Sequence, residues 1–102
     1  MVQELYEYGI NITKGVQTKM KDILNNPTTV KLLATQIKLA CDYYIARDIS
    51  EKQFKELIFH YAANHGKKLF AVDRINPTVV NRIGKRRLEL VEIMLEGFQL
   101  KF

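Results

Sequence analysis

The chain of 102 residues contains a single cysteine, Cys41. No disulfide can form within it, and the expected setting is a reducing one, the cytoplasm. No apolar run approaches the roughly 18 to 20 residues that a membrane-spanning helix needs. The opening Met1-Val2-Gln3-Glu4-Leu5 is mixed and acidic, which does not match a secretory leader. There is no pair of cysteines, no His-Glu-x-x-His and no glycine-rich phosphate loop. These absences remove the usual metal, nucleotide and thiol chemistries, so no catalytic residue, metal or cofactor is expected. His60 and His65 are five residues apart, a spacing that places them on different faces of a helix. His60 is expected in solvent and His65 beside the carbonyl end of its helix. Cys41 falls on an apolar stripe and is expected to be a small buried hydrophobe. Glu89, Glu92 and Glu96 share a helical face, which is more simply a solvated surface than an acid–base pair.

Acidic residues are also scarce in one place. Between Lys67 and Arg87 there are seven basic residues, with Asp73 as the only acid, for a local charge of +6. The rest of the chain holds nine basic and ten acidic residues, or −1. The whole basic excess therefore sits in 21 residues. A cluster of this kind points to an anionic partner rather than to solubility alone.

Apolar residues recur at helical spacing along most of the chain, and 47% of it is hydrophobic. The pattern predicts an all-α single domain, residues 1–102, with four to five helices packed as an array or bundle around the second helix. Val2, Leu5, Gly9, Ile12, Val16, Met20 and Ile23 outline a first helix, with residues 1–27 as a peripheral N-terminal element. Gly9 and Gly15 weaken it, which leaves Tyr6 to Thr13 open to an extended or kinked form, and Asn25-Asn26-Pro27 stops it. Val2, Tyr6 and Ile10 extend its apolar surface, which makes a homodimer a further expectation.

Thr28 or Thr29 caps the second helix, which carries Val30, Leu33, Ile37, Ala40, Cys41 and Tyr44 and ends near Arg47. Ser50 with Gln53 forms a capping box, and Ile49 with Phe54 a hydrophobic staple, at the start of the third. Gly66 is placed for a left-handed helix end. Lys67 to Ile75 lacks a period, so a loop or short turn is expected, with Leu69, Phe70 and Val72 anchoring it to the core. Asn76-Pro77 opens a short helix to Ile83. Gly84 bends or ends it, and a last helix follows with Leu88, Val91, Met94 or Leu95, and Phe98 inward. The tyrosines fall on or beside the apolar stripes and are expected in the core rather than as base-stacking platforms.

Arg82, Lys85 and Arg86 come to one face if the chain is helical on both sides of Gly84. A capped short helix, a glycine bend and a following helix are similar in outline to a helix-turn-helix unit. The candidate nucleic-acid or anion-binding residues are Lys67, Lys68, Arg74, Asn81, Arg82, Lys85, Arg86 and Arg87. Cations there neutralise phosphates, and Asn81 suits a base edge or a phosphate. Asn76 and the amides of Thr78 and Val79 would add a helix-start anion site. Arg86 can pair with Glu89 along the helix, whereas Arg87 has no acid in register and is expected to be free for an outside anion. The alternative partner for the same face is an acidic protein.

Leu33-Ala34-Thr35-Gln36-Ile37, Tyr43-Tyr44, Ile49-Ser50-Glu51 and the closing Arg82-Ile83-Gly84-Lys85-Arg86-Arg87-Leu88-Glu89-Leu90-Val91 resemble a small protein family of Firmicutes and their prophages. Members of that family close on an Arg-Leu-Gly-Lys-Lys-Arg-Leu-Glu-Leu type of run. The resemblance covers about residues 30 to 95, and here Ile83 and Arg86 depart from the run. It implies a bacterial or phage setting and no particular activity.

Overall fold

The structure is a computed structural model, described here for residues 19–98. The expected first helix and its apolar stripe lie largely outside the described residues, as does the surface on which a homodimer was expected. Residues 19–21 close a helical turn. The elements that follow are α1 (Val30–Ile45), α2 (Glu51–Asn64), a single turn α3 (Gly66–Leu69), the two-residue strands β1 (Phe70–Ala71) and β2 (Arg74–Ile75), α4 (Pro77–Ile83) and α5 (Lys85–Leu95). The protein is thus mostly α, as the periodicity predicts, with one small hairpin added.

Helix starts follow their local chemistry. Thr29 accepts the Leu32 N–H at 3.0 Å and caps α1. Ser50 and Gln53 make the reciprocal capping box at α2, with bonds of 3.1 and 2.9 Å. Asn76 accepts the Thr78 N–H at 2.9 Å, and Pro77 occupies the first turn of α4. Each cap satisfies a backbone donor that a helix start leaves unpaired.

α1 runs through the middle of the fold. It buries Leu33, Ala34, Ile37, Ala40 and Cys41 completely, packing against α4 on one side and against α2, α3 and α5 on others. Phe54, Ile58 and Tyr61 from α2, Leu69 from α3, Val79 and Ile83 from α4 and Val91 from α5 complete the core. Tyr44 stacks on Phe54 with ring centroids 4.9 Å apart.

Three local expectations are corrected. Gly66 is not a left-handed helix end. His65 terminates α2 (φ −130°, ψ 32°) and the chain re-enters helix at once, so Gly66 lies in the first turn of α3. A left-handed residue does follow α1, at Arg47 (φ 66°). The Asp48 N–H reaches the Tyr43 carbonyl at 2.8 Å, and the Arg47 N–H reaches that of Tyr44 at 3.0 Å. This is the Schellman pattern with arginine at the position glycine usually takes.

Val72 does not anchor the core, being 88% exposed. Phe70 pairs with Ile75 and Ala71 with Arg74, leaving Val72-Asp73 as a two-residue hairpin connection. Val72 has φ 59°, which the tight connection demands and a β-branched residue disfavours.

The connector before α1 is bound to α2 by a row of ring side chains. Tyr61 Oη donates to the Leu24 carbonyl. His60 Nε2 lies 2.8 Å from the Asn25 carbonyl and must donate to it, since a carbonyl only accepts. His65 Nε2 is 3.0 Å from Asn26 Oδ1. The two imidazoles are only 5.8 Å apart. His60 is thus a partly buried hydrogen-bonding residue rather than a solvated one. The expected separation of the two histidines fails because the helix ends at Asn64, so His65 leaves the regular spiral. From α1, the nearly buried Gln36 adds an acceptor, its Oε1 receiving the Leu24 N–H at 2.8 Å.

Candidate nucleic-acid interface

The expected basic residues separate into two groups. α4 buries Val79 and Ile83, which turns Asn81 and Arg82 to solvent. α5 buries Val91 and Met94, which leaves Lys85 and Arg86 exposed in its first turn. Between the helices stands Gly84, at φ 86° and ψ 165°. A Cβ built there would meet no atom within 4 Å. Glycine is therefore required by the backbone angle and not by crowding. Among the described residues, Arg82, Lys85 and Arg86 have no acidic partner, and Arg86 does not pair with Glu89.

The first turn of α5 has no side-chain cap and no acid, and its last turn has no base. Lys85, Arg86 and Arg87 sit at the positive end of the helix dipole, and Glu92 and Glu96 at the negative end. Each such placement opposes the dipole, at about 0.3–1 kcal/mol at low salt and less when screened. The stability of α5 alone does not account for this arrangement. An anion at the Gly84 bend would meet both the cations and the uncapped amides.

Arg87, expected to be free, is engaged inside the protein. Its Nε donates to Asp42 Oδ1 at 2.8 Å and its Nη2 to Asp42 Oδ2 at 3.3 Å, while Nη1 donates to the Ile83 carbonyl at 2.9 Å. Asp42 lies 45 residues earlier, on α1. Its hydrogen bond to the guanidinium pushes the Arg87 pKa further up. Beside the pair, the buried Cys41 thiol donates to the Arg87 carbonyl over 3.9 Å. Burial pushes that thiol up to about 12, as an inert core cysteine requires.

Arg74 belongs to the other group. It lies 3.7 Å from Asp73, both well exposed, in a shallow hollow of about 240 Å³ shared with Phe70, Ile75, Glu92, Leu95 and Glu96. That hollow is toward the C-terminal end of α5, about 10–15 Å along its axis from Lys85. Arg74 is thus surrounded by acids and separate from the bend. Lys67 and Lys68 ride on α3. The Lys68 carbonyl accepts from Asn76 Nδ2 at 3.2 Å, tying α3 to the start of α4. Asn76 is occupied by this bond and by capping, and Thr78 N–H is taken by the cap. The expected anion site at the start of α4 is therefore not available in the form the sequence implied.

Among the described residues, no three His, Cys, Asp or Glu side chains converge as a metal set, and no helix is long and apolar enough to cross a membrane. Residues 24–96 match the model of a family described as conserved hypothetical protein. The chain belongs to that family. No curated protein and no solved structure matches this chain. The family region takes in α1 to α5, the connector bound to α2 and the whole of the Gly84 bend.

Proposed function

We propose that this family member is a small nucleic-acid-binding or regulatory protein that holds phosphate at the Gly84 bend through Arg82, Lys85 and Arg86. One observation carries the reading. Three exposed cations without acidic partners among the described residues flank a helix start that has neither a cap nor an acid. Phosphate oxygens would satisfy the open amides and relieve the repulsion between the cations and the helix dipole. Asn81, exposed on the same short helix, supplies the neutral donor and acceptor of the footprint. The likeness of the closing run to that of the Firmicutes and prophage family supports a bacterial or phage setting.

Fluorescence anisotropy with a labelled mixed-sequence DNA duplex and with a single-stranded RNA, at two salt concentrations, tests the proposal. Affinity should fall steeply with salt, with a log–log slope of about −2.7 if three phosphates are neutralised on duplex DNA. Replacing Arg82, Lys85 and Arg86 together by alanine should remove most of that slope. No binding at low salt, or a triple variant that binds like the native protein, refutes it. Capture of one acidic protein that survives nuclease treatment would assign the same face to a protein partner instead.

A further inference from the structure

Arg87 holds three helices with one side chain. The fork to Asp42 fastens it to α1, and the bond to the Ile83 carbonyl fastens it to the last residue of α4. Its own backbone belongs to the first turn of α5. The bond to Ile83 therefore spans Gly84, the one residue between α4 and α5. No atom packs where a Gly84 side chain would be, so contacts at that point do not set the bend. The planar guanidinium makes bonds in fixed directions on both sides of it, which a lysine ammonium could not reproduce.

We infer that Arg87 and Asp42 are a positioning pair: they set the angle between α4 and α5 so that Arg82, Lys85 and Arg86 address phosphates together, while Arg87 itself touches none. The ligand side of this inference rests on the proposed phosphate binding. The bend-setting side does not. It also separates the adjacent arginines by role. Arg86 has no acid partner among the described residues and is exposed, whereas Arg87 is half withdrawn and already bonded.

Charge and geometry predict opposite signs for one substitution. Asp42→Asn removes a negative charge beside the basic face and takes the net charge from +5 to +6. If charge alone governs binding, the variant binds the DNA duplex more tightly. If the pair sets the bend, the variant binds more weakly, by about fivefold or more, and its salt slope loses about one phosphate, or 0.9. Arg87→Lys keeps the charge and breaks the fork, and it should weaken binding in the same way. Amide hydrogen exchange on the same variants reads the bend directly. The Gly84 N–H bonds to Val80 and the Leu88 N–H to Gly84. Both should lose protection relative to the α2 amides.

Asp42→Asn binding as tightly as the native protein or more so, or unchanged protection at Gly84 and Leu88 in Arg87→Lys, overturns the inference. If the native protein binds no nucleic acid, the proposed function fails. Exchange at Gly84 and Leu88 then still decides whether the pair sets the bend.

Discussion

Gly84→Ala isolates a backbone angle almost free of packing effects. At φ 86° and ψ 165° the residue occupies a region that is essentially reserved for glycine. Holding an alanine there costs about 1–3 kcal/mol. The added methyl meets nothing within 4 Å, so neither a clash nor a new contact contributes. The unfolded chain loses some freedom on the same change, which returns about 0.4–1 kcal/mol. The net loss is about 1–2 kcal/mol. For a domain of this size it lowers the midpoint of thermal unfolding by roughly 5–15 °C. Gly66→Ala is the matched control. Gly66 is helical, and a Cβ there would meet only Phe70 Cδ2, at an ordinary 3.8 Å. The same chemical change should therefore stabilise the protein by about 0.4–1 kcal/mol. Thermal melts followed by circular dichroism give both values. A neutral or stabilising Gly84→Ala, or a pair of variants that shift in the same direction, would show the reasoning to be wrong.

Val72→Gly should raise the urea midpoint, because relief of about 1–2 kcal/mol of left-handed strain exceeds the roughly 0.5–1 kcal/mol of added chain entropy; a lower midpoint counts against the strained tip. Tyr61→Phe leaves the Leu24 carbonyl without its donor and should cost about 1–2 kcal/mol in urea unfolding with the slope unchanged. Cys41 has its folded thiol raised from 9.0 to about 12. Its contribution is therefore fully present below pH 9 and is lost as pH climbs from about 9 toward 12. Burial raises Tyr61 too, so stability should decline over this alkaline range, and Cys41→Ala should make the decline shallower in denaturant titrations at stepped pH.

Features set within one turn of chain were legible before the structure. Thr29, the Ser50–Gln53 box and Asn76-Pro77 act on amides two or three residues away, and each appears where its chemistry places it. The core stripe of α1 followed from period alone. The failures involve partners far away in sequence or geometry beyond a regular helix. Arg87 looked free because its acid is 45 residues distant and on another helix. Helical spacing puts His60 and His65 on separate faces, but the helix stops at Asn64. Val72 is apolar and its sequence context points inward, but the two-residue connection holds it off the ladder. The split of the basic segment was hidden for a related reason. Nothing local shows that the hairpin leaves Arg74 beside Glu92 and Glu96, one turn or more beyond where α5 begins its basic face.

Leu24 is held by both of its backbone polar groups: Gln36 takes its N–H and Tyr61 donates to its carbonyl. Those two bonds reach 12 and 37 residues along the chain, so they act like a seam that closes the fold at this corner. Cutting the chain in front of α1 would strip two nearly buried polar groups of their only described partners, although every residue of the helices remained. A piece that keeps both bonds accordingly includes Leu24, upstream of α1, and the family match opens at that residue.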